Sequence, residues 1–261
     1  MFKDFVSEIV EQKKKDLKER NTFFSYWQVR LQSQTPHLNR FFKEKISKPE
    51  RLNLIAEIKR ASPSCGIIRE DFDPVKIAEI YQESGADAIS VLTEEHYFKG
   101  NLSHLNKVRI KTSLPLLRKD FIIEEFQIYE SYVYGADAIL LIADILPEKQ
   151  LADFLALSHK LGMDCLVEVR KAEDVMKAVA VDAKIIGINN RDLHTFHTDL
   201  EVTAKLRPLI PTDKIVVSES GIKSHDDIAF LREQGVNAVL IGEAFLEVKD
   251  ISTKVKAMLQ Q

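Results

Sequence analysis

Cysteine and long apolar runs are scarce in this sequence. Its 261 residues contain two cysteines, Cys65 and Cys165, which belong to no paired motif. We therefore expect neither a disulfide framework nor a structural zinc site. No run approaches the ~18 apolar residues that a membrane-spanning helix requires. The opening segment, MFKDFVSEIVEQKKK, lacks the apolar stretch of a signal peptide, so a cytoplasmic protein is expected.

The chain also lacks an excess of charge of either sign. Lysine and arginine total 37 and aspartate and glutamate total 40, which leaves a formal charge of -3. A nearly neutral chain has no general electrostatic attraction for nucleic acid or for an anionic membrane surface. We expect neither partner, and any site for an anionic ligand must be local.

From residue 52 onward, short apolar runs alternate with helical patterns. The phrase SGADAISVL returns as YGADAILLI, which indicates repeated βα units. Such units predict a parallel sheet covered by helices on both faces, and a closed (β/α)8 TIM barrel is the simplest form. An open doubly wound sheet is the alternative, although no G-x-G-x-x-G follows any run. The eight predicted strands are Leu54–Lys59, Ala88–Leu92, Leu114–Lys119, Ala138–Ile142, Cys165–Val169, Lys184–Asn189, Lys214–Glu219 and Ala238–Gly242.

The residues before the barrel predict a helical extension. We expect one domain, residues 1–261, made of this extension over residues 1–48 and a barrel over residues 52–261. An amphipathic helix is predicted for residues 1–20, and residues 21–50 are predicted to be irregular or to form short helices. Three neighbouring aromatic residues are expected to dock the extension onto the barrel: Phe23, Phe24 and Trp27.

Charged residues lie at the carboxyl ends of the predicted strands, where barrel enzymes place their active sites. Glu57 and Lys59 should point to the same side of the first strand, because the side-chain period of a strand is two. Lys119, Glu168 and Asn189 should converge with them from other strands. A buried ion-pair network that only fills the barrel mouth is the alternative, but convergence from several strands favours an active site.

The ends of the last two strands predict a phosphate site. Ser220-Gly221 and Gly242-Glu243 place small residues where a barrel often binds phosphate through backbone N–H groups.

The histidines and one cysteine are weaker candidates for functional residues. His194 and His197 are expected to be solvated rather than to bind a metal, and Cys65 is expected to be incidental rather than a nucleophile.

Six blocks of the sequence resemble the signature blocks of the indole-3-glycerol phosphate synthase family. They span about residues 54–246 and read IAEIKRASPS, LLRKDFIIEEFQIYESYVYGADAILLI, LVEV, IIGINNRDLHTFHTDLE, VSESGI and VLIGEAF. The resemblance implies a (β/α)8 barrel with an N-terminal helical segment, and a carboxy-lyase of tryptophan biosynthesis. The implied reaction closes the indole ring of 1-(2-carboxyphenylamino)-1-deoxyribulose 5-phosphate, releases carbon dioxide and water, and uses no cofactor or metal.

The same resemblance implies a set of site residues. The implied catalytic residues are Glu57, Lys59, Lys119, Glu168, Asn189 and Ser220. The implied substrate-binding residues are Ser62, Phe98, Arg191, Glu219, Gly221, Gly242 and Glu243, the last through its backbone N–H. The chain departs from the family at Cys65, where many members carry a basic residue.

The implied chemistry assigns roles to these residues. A ring carbon attacks a ketone, so the ketone oxygen needs a proton donor. Lys119 is the first choice and Lys59 the second, and each lysine should lower the pKa of the other. Glu168 should act in the later dehydration, and Glu57 should orient the lysines. Lys59 and Arg191 could hold the substrate carboxylate, whereas residues 2–9 and 64–66 could cover the substrate.

Two other functions compete with this reading. One is a different phosphosugar barrel enzyme, either an isomerase or a Schiff-base aldolase, and the isomerase is disfavoured because Cys65 has no matching aspartate partner. The other is a barrel that binds a phosphorylated ligand without catalysis, which should have lost the charges at its strand ends. The chain retains them. A monomer or weak dimer is expected.

Overall fold

Eight parallel strands close into a barrel in the computed structural model, which describes residues 5–36, 38–49, 51–192 and 195–259. The barrel strands are β1 (Asn53–Ile58), β4 (Ala88–Leu92), β5 (Leu116–Lys119), β6 (Ala138–Ile142), β7 (Asp164–Val169), β8 (Ile185–Asn189), β9 (Ile215–Glu219) and β10 (Ala238–Ile241). A short antiparallel hairpin, β2 (Ala61–Ser62) and β3 (Gly66–Ile67), lies in the loop after β1. The predicted barrel is confirmed, and the strand ends agree within two residues.

Helices follow the strands and cover the outside of the barrel. They are α4 (Pro74–Glu83), α5 (Leu102–Lys111), α6 (Glu125–Val133), α7 (Glu148–Lys160), α8 (Ala172–Ala180), α9 (Glu201–Leu206), α10 (His225–Glu233), α11 (Glu243–Leu246) and α12 (Ile251–Leu259). Local sequence sets where they begin. Asp73, for example, accepts hydrogen bonds from the backbone N–H groups of Val75 and Lys76, and Pro74 occupies the first helical position. Among the described residues, no helix has the length and apolar character needed to cross a membrane.

The strands bury apolar side chains on both faces. In β1, Ala56 and Ile58 belong to the cluster between the strands and the helices. Ile55 belongs instead to a second cluster inside the barrel, with Leu117 and Leu166 among its members. This alternation fills the barrel interior with apolar side chains, so that the charged residues are gathered at the carboxyl ends of the strands.

Three helices precede the barrel: α1 (Phe5–Arg20), α2 (Phe23–Gln32) and α3 (Phe42–Lys45). Helix α1 begins with the described residues and ends where the predicted helix ends. Near α3, the backbone N–H groups of Arg40 and Lys43 donate to Asp137 and Asp164, at the amino ends of β6 and β7. The N-terminal segment therefore reaches the bottom of the barrel through α3.

The predicted docking role of the aromatic residues on α2 is wrong. Phe23, Phe24 and Trp27 are 82%, 78% and 48% exposed, and none of the residues of α2 is buried. Helix α2 contacts α6 through its other face, where the Tyr26 hydroxyl donates to Glu125 at 3.0 Å. Sequence proximity of aromatic residues could not reveal which face of the helix meets the barrel.

Two phenylalanines of this segment, one buried and one exposed, predict very different losses of stability on substitution. Phe42→Ala should lower the free energy of unfolding by about 3–5 kcal/mol, because Phe42 is fully buried. Phe24→Ala should change it by less than about 0.5 kcal/mol, because its ring is already largely in water. Urea unfolding of both variants measures the difference, and equal losses would contradict the described docking of α3.

Candidate active site

A cavity opens at the carboxyl ends of the barrel strands, and all thirteen predicted site residues line it. Strand ends and family blocks are enough to predict these thirteen residues. They do not predict the apolar wall formed by Leu140 and Ile142, nor Phe196 and Lys223, which also line the cavity. Apolar residues at strand ends carry no signal that separates a cavity wall from ordinary core.

The first charged pair joins Glu57 and Lys59 of the opening strand. Lys59 Nζ lies 2.9 Å from Glu57 Oε1, and both side chains are largely buried. Burial alone would raise the pKa of Glu57, but Lys59 and Lys119 outweigh it and lower that pKa below its usual value. Glu57 is therefore an anion at neutral pH, as its expected role of offsetting lysine charge requires.

Gly242 gives Glu57 the space it occupies. A Cβ atom added at Gly242 would lie 2.8 Å from both Cβ and Oε1 of Glu57, too close for either side chain to remain in place. The expected contribution of Gly242 to a phosphate site remains a prediction. Its lack of a side chain is already required by the packing of the carboxylate beside it.

Lys119 lies between two carboxylates. Its Nζ is 3.3 Å from Glu168 Oε2 and 3.2 Å from Glu219 Oε2. Burial alone would lower the pKa of Lys119, but Glu219, Glu168 and Glu57 together raise it well above its usual value. The expectation that a second lysine lowers this pKa is wrong, because three carboxylates surround Lys119 and Lys59 is paired with Glu57.

Glu219 has the least compensated charge in the cavity. Its side chain is 1% exposed, and among the described residues neither carboxylate oxygen accepts a hydrogen bond, although Lys119 lies close by. Burial and repulsion from Glu168 and Glu57 raise the pKa of Glu219 to about 7, despite the opposing effect of Lys119. A Cβ atom at Gly187 would lie 2.2 Å from Glu219 Oε1, so a larger residue there would displace this carboxylate from its present position.

Arg191 connects two loops at the cavity mouth. Its guanidinium donates to Glu243 Oε2 at 2.9 Å and to the Ser64 hydroxyl. Its backbone N–H donates to Asn189 Oδ1 at 3.0 Å. Arg191 therefore neutralises the Glu243 carboxylate and holds the loop after β1 against the carboxyl end of β8.

A buried asparagine that sequence analysis did not single out supports the turn after β9. The amide nitrogen of Asn190 donates to the carbonyl oxygens of Glu219 and Ser220, at 2.9 and 3.1 Å. Ser220 and Gly221 both have positive φ, 69° and 79°, a conformation that is costly for serine. Asn190 holds this turn, and Ser220 and Gly221 line the cavity.

The segment expected to cover the substrate contributes one side chain to the cavity lining. The Phe5 ring lines the cavity and makes edge contacts with Tyr97 and Phe196, with centroids 5.3 Å apart in each case. Residues 2–4 of the same segment lie outside the described residues. Helix α1 therefore brings an aromatic side chain to the mouth of the barrel.

Cys65 and His197, which the sequence offers as a possible nucleophile and a possible metal ligand, are not part of the cavity lining. Cys65 is exposed, and its sulfur lies with the carboxylates of Glu243 and Glu247 in a group whose ligand atoms are within 4.8 Å. Glu243 is already paired with Arg191. His197 is exposed, whereas His194 lies outside the described residues.

The chain forms a closed (β/α)8 barrel with a cavity lined by charged side chains at the carboxyl ends of the strands. Barrel enzymes carry their active sites at that face, so the fold and the site together indicate an enzyme of this class. Residues 6–258 match the family model described as indole-3-glycerol phosphate synthase. The chain belongs to the indole-3-glycerol phosphate synthase family.

Individual relatives agree with this assignment. The indole-3-glycerol phosphate synthase of Dehalococcoides mccartyi strain CBDB1 is 58% identical over 215 residues, which cover 81% of this chain and 83% of the relative. The enzymes of the same name from Acetivibrio thermocellus and Campylobacter curvus are 49% and 47% identical, with 96% of this chain and 97% of each relative covered.

Solved structures share the fold at low sequence identity. A 3-hexulose-6-phosphate synthase from Salmonella typhimurium has a TM-score of 0.67 at 11% identity, with 80% of this chain and 97% of that chain covered. A thiamine phosphate pyrophosphorylase from Pyrococcus furiosus has a TM-score of 0.62 at 15% identity, with 80% and 94% covered. At such identities the likeness concerns the barrel alone.

Because the pKa of Glu219 is raised in the folded protein, the free energy of unfolding should decrease as the pH rises. The unfolded carboxyl ionises near the ordinary value of about 4.3, whereas the folded one ionises at about 7. The folded state therefore binds the extra proton, and its stability should fall as pH rises between these values. Glu219→Gln removes this loss and should raise Tm relative to the wild type more at pH 8 than at pH 5. An equal change at both pH values would contradict the ionisation behaviour described.

Proposed function

We propose that this protein forms indole-3-glycerol phosphate from 1-(2-carboxyphenylamino)-1-deoxyribulose 5-phosphate in tryptophan biosynthesis. The observation that carries the proposal is the position of Lys119, between Glu168 and Glu219 in a cavity lined by every site residue implied by the family. Family membership over residues 6–258 supports the same reaction.

Ring closure needs a proton donor at the ketone oxygen. The ring carbon that bears the carboxylate forms a bond to the ketone carbon, and the carbonyl electron pair moves to oxygen. Lys119 Nζ gives that oxygen a proton. The raised pKa keeps Lys119 protonated beforehand, and an alkoxide is a stronger base than an amine, so the proton still moves toward oxygen.

Two eliminations complete the product. The carboxylate leaves as carbon dioxide, and its electron pair passes into the ring system. The new hydroxyl group then takes a proton from Lys59, the other lysine of the cavity, which regains a proton from solvent. It leaves as water, while a carbon-bound proton is lost to a base to form the aromatic indole. Glu168 is the proposed base, since its carboxylate lies 3.3 Å from Lys119 and can exchange a proton with it.

The two ends of the substrate are both anionic, and the cavity offers separate regions for them. We assign the carboxylate to Lys59 and Arg191, with Ser62 on the same side. We assign the phosphate to backbone N–H groups of Ser220 and Gly221, together with the segment at Gly242, Glu243 and the start of α11. The positive φ angles at Ser220 and Gly221 support this assignment, because they turn successive backbone groups toward one side. Phe98 and Asn189 also line the cavity.

Turnover of the named substrate is the direct test. Purified protein mixed with the carboxyphenylamino deoxyribulose phosphate should produce indole fluorescence and release one carbon dioxide per product molecule. Denatured protein provides the blank. Folded protein that shows no turnover across pH 6–9 would refute the proposed reaction.

The proton donor can be tested by one substitution. Lys119→Met keeps a side chain of similar length without an amine, so kcat should fall by about 10²–10⁴-fold while the substrate still binds. Lys149→Met is the control, because Lys149 is exposed on α7 and should leave kcat unchanged. Stopped-flow indole fluorescence gives kcat, and equilibrium titration gives Kd. A Lys119→Met enzyme with nearly wild-type kcat would remove Lys119 from this role.

A further inference from the structure

Helix α1 buries a lysine that the proposed reaction does not use. Lys13 is 4% exposed, and its Nζ lies 2.8 Å from Oδ1 of Asp120, whose side chain is 1% exposed. The two residues are far apart in the sequence, one in the N-terminal extension and the other directly after β5. This ion pair therefore joins the extension to the strand that carries Lys119.

Asp120 is surrounded by donors on both carboxylate oxygens. Oδ2 accepts from the Thr93 hydroxyl at 2.7 Å and from Arg118 Nη2 at 2.9 Å. Oδ1 accepts from the Phe121 N–H at 2.8 Å in addition to its contact with Lys13. With two cations and two neutral donors, the carboxylate is held in one place and the chain beyond β5 is held with it.

These contacts also fix the backbone of Lys119. Strand β5 ends at Lys119, and the carbonyl oxygen of Lys119 accepts from the Thr93 N–H at 3.1 Å. Thr93 thus contacts Lys119 through its backbone and Asp120 through its hydroxyl. Any displacement of Asp120 would be transmitted to the residue directly before it.

We propose that Lys13 is a positioning residue, whose ion pair with Asp120 fixes the end of β5 so that the Lys119 amine lies between Glu168 and Glu219. The proposal rests on the proposed function, in which Lys119 supplies the proton. It assigns to the N-terminal extension a direct part in the geometry of the reacting groups, in addition to the contribution of Phe5 to the cavity lining.

Packing of α1 against the barrel does not by itself require Lys13. Val6, Ile9 and Leu17 already bury apolar side chains on the same helix. A buried ion pair contributes little net stability, and well-packed apolar groups are often as good or better in its place. What an apolar residue cannot supply is a directed bond to the Asp120 carboxylate.

Kinetics of matched lysine variants test the proposal. Lys13→Met should lower kcat by about 10- to 100-fold, because a displacement of about 1 Å in a reacting group can have that effect, and it should change KM little. Lys13→Arg, which keeps the charge, should restore most of the lost kcat. Lys14→Met is the control: Lys14 is exposed, pairs with Glu11 on the same helix, and should leave kcat within about twofold of wild type.

A second measurement does not depend on turnover. In protein labelled with ¹³C at lysine Cε, the Lys119 resonance is identified by its loss in Lys119→Met. This resonance should shift in Lys13→Met and stay in place in Lys14→Met. If the wild type fails to turn over the substrate, the proposed function fails, and the NMR comparison still decides whether Lys13 positions Lys119.

Three outcomes would overturn the proposal. One is a folded Lys13→Met enzyme with kcat within twofold of wild type, and another is a Lys119 resonance that does not move. Should Lys13→Met fail to fold, Lys13→Gln is measured in the same way. Failure of both to fold would show that the pair holds the helix itself, which also refutes a role specific to Lys119.

Discussion

Charge balance in a buried space is the constraint on which the rest of the site depends. Three carboxylates (Glu57, Glu168 and Glu219) face two ammonium groups, Lys59 and Lys119, at the mouth of the barrel. Full ionisation of all five would leave one uncompensated negative charge away from water, which is unfavourable. The set therefore favours one extra proton, and the raised pKa of Glu219 shows where that proton is most easily held.

Strand periodicity was enough to predict which residues meet at the mouth. Glu57 and Lys59 share a side because they are two residues apart, and the closed barrel brings Lys119, Glu168 and Asn189 to the same end. What periodicity could not predict is which charge neutralises which. The pKa of Lys119 was therefore predicted to be lowered, whereas it is raised. The sequence does not show that Lys59 forms its ion pair with Glu57.

Long-range pairs were beyond sequence reasoning for a related reason. Lys13 belongs to a run of three lysines. Its spacing from Ile9 and Leu17 is that of the buried face of α1, but helical spacing does not show which carboxylate it meets. The same segment contacts both ends of the barrel, with Phe5 at the mouth and Lys43 beside Asp164 at the bottom. Its position thus depends on contacts that only the assembled barrel provides, and site geometry and N-terminal docking are linked.

The exposed aromatic face of α2 makes the N-terminal extension visible to spectroscopy. Trp27 is the one tryptophan of the chain, it lies outside the barrel, and it is half exposed beside Arg30, whose guanidinium is 5.1 Å from its ring. Tryptophan emission therefore reports on the surroundings of α2, whereas far-ultraviolet circular dichroism reports mainly on the barrel. Coincidence of the two unfolding curves would measure whether extension and barrel form one cooperative unit.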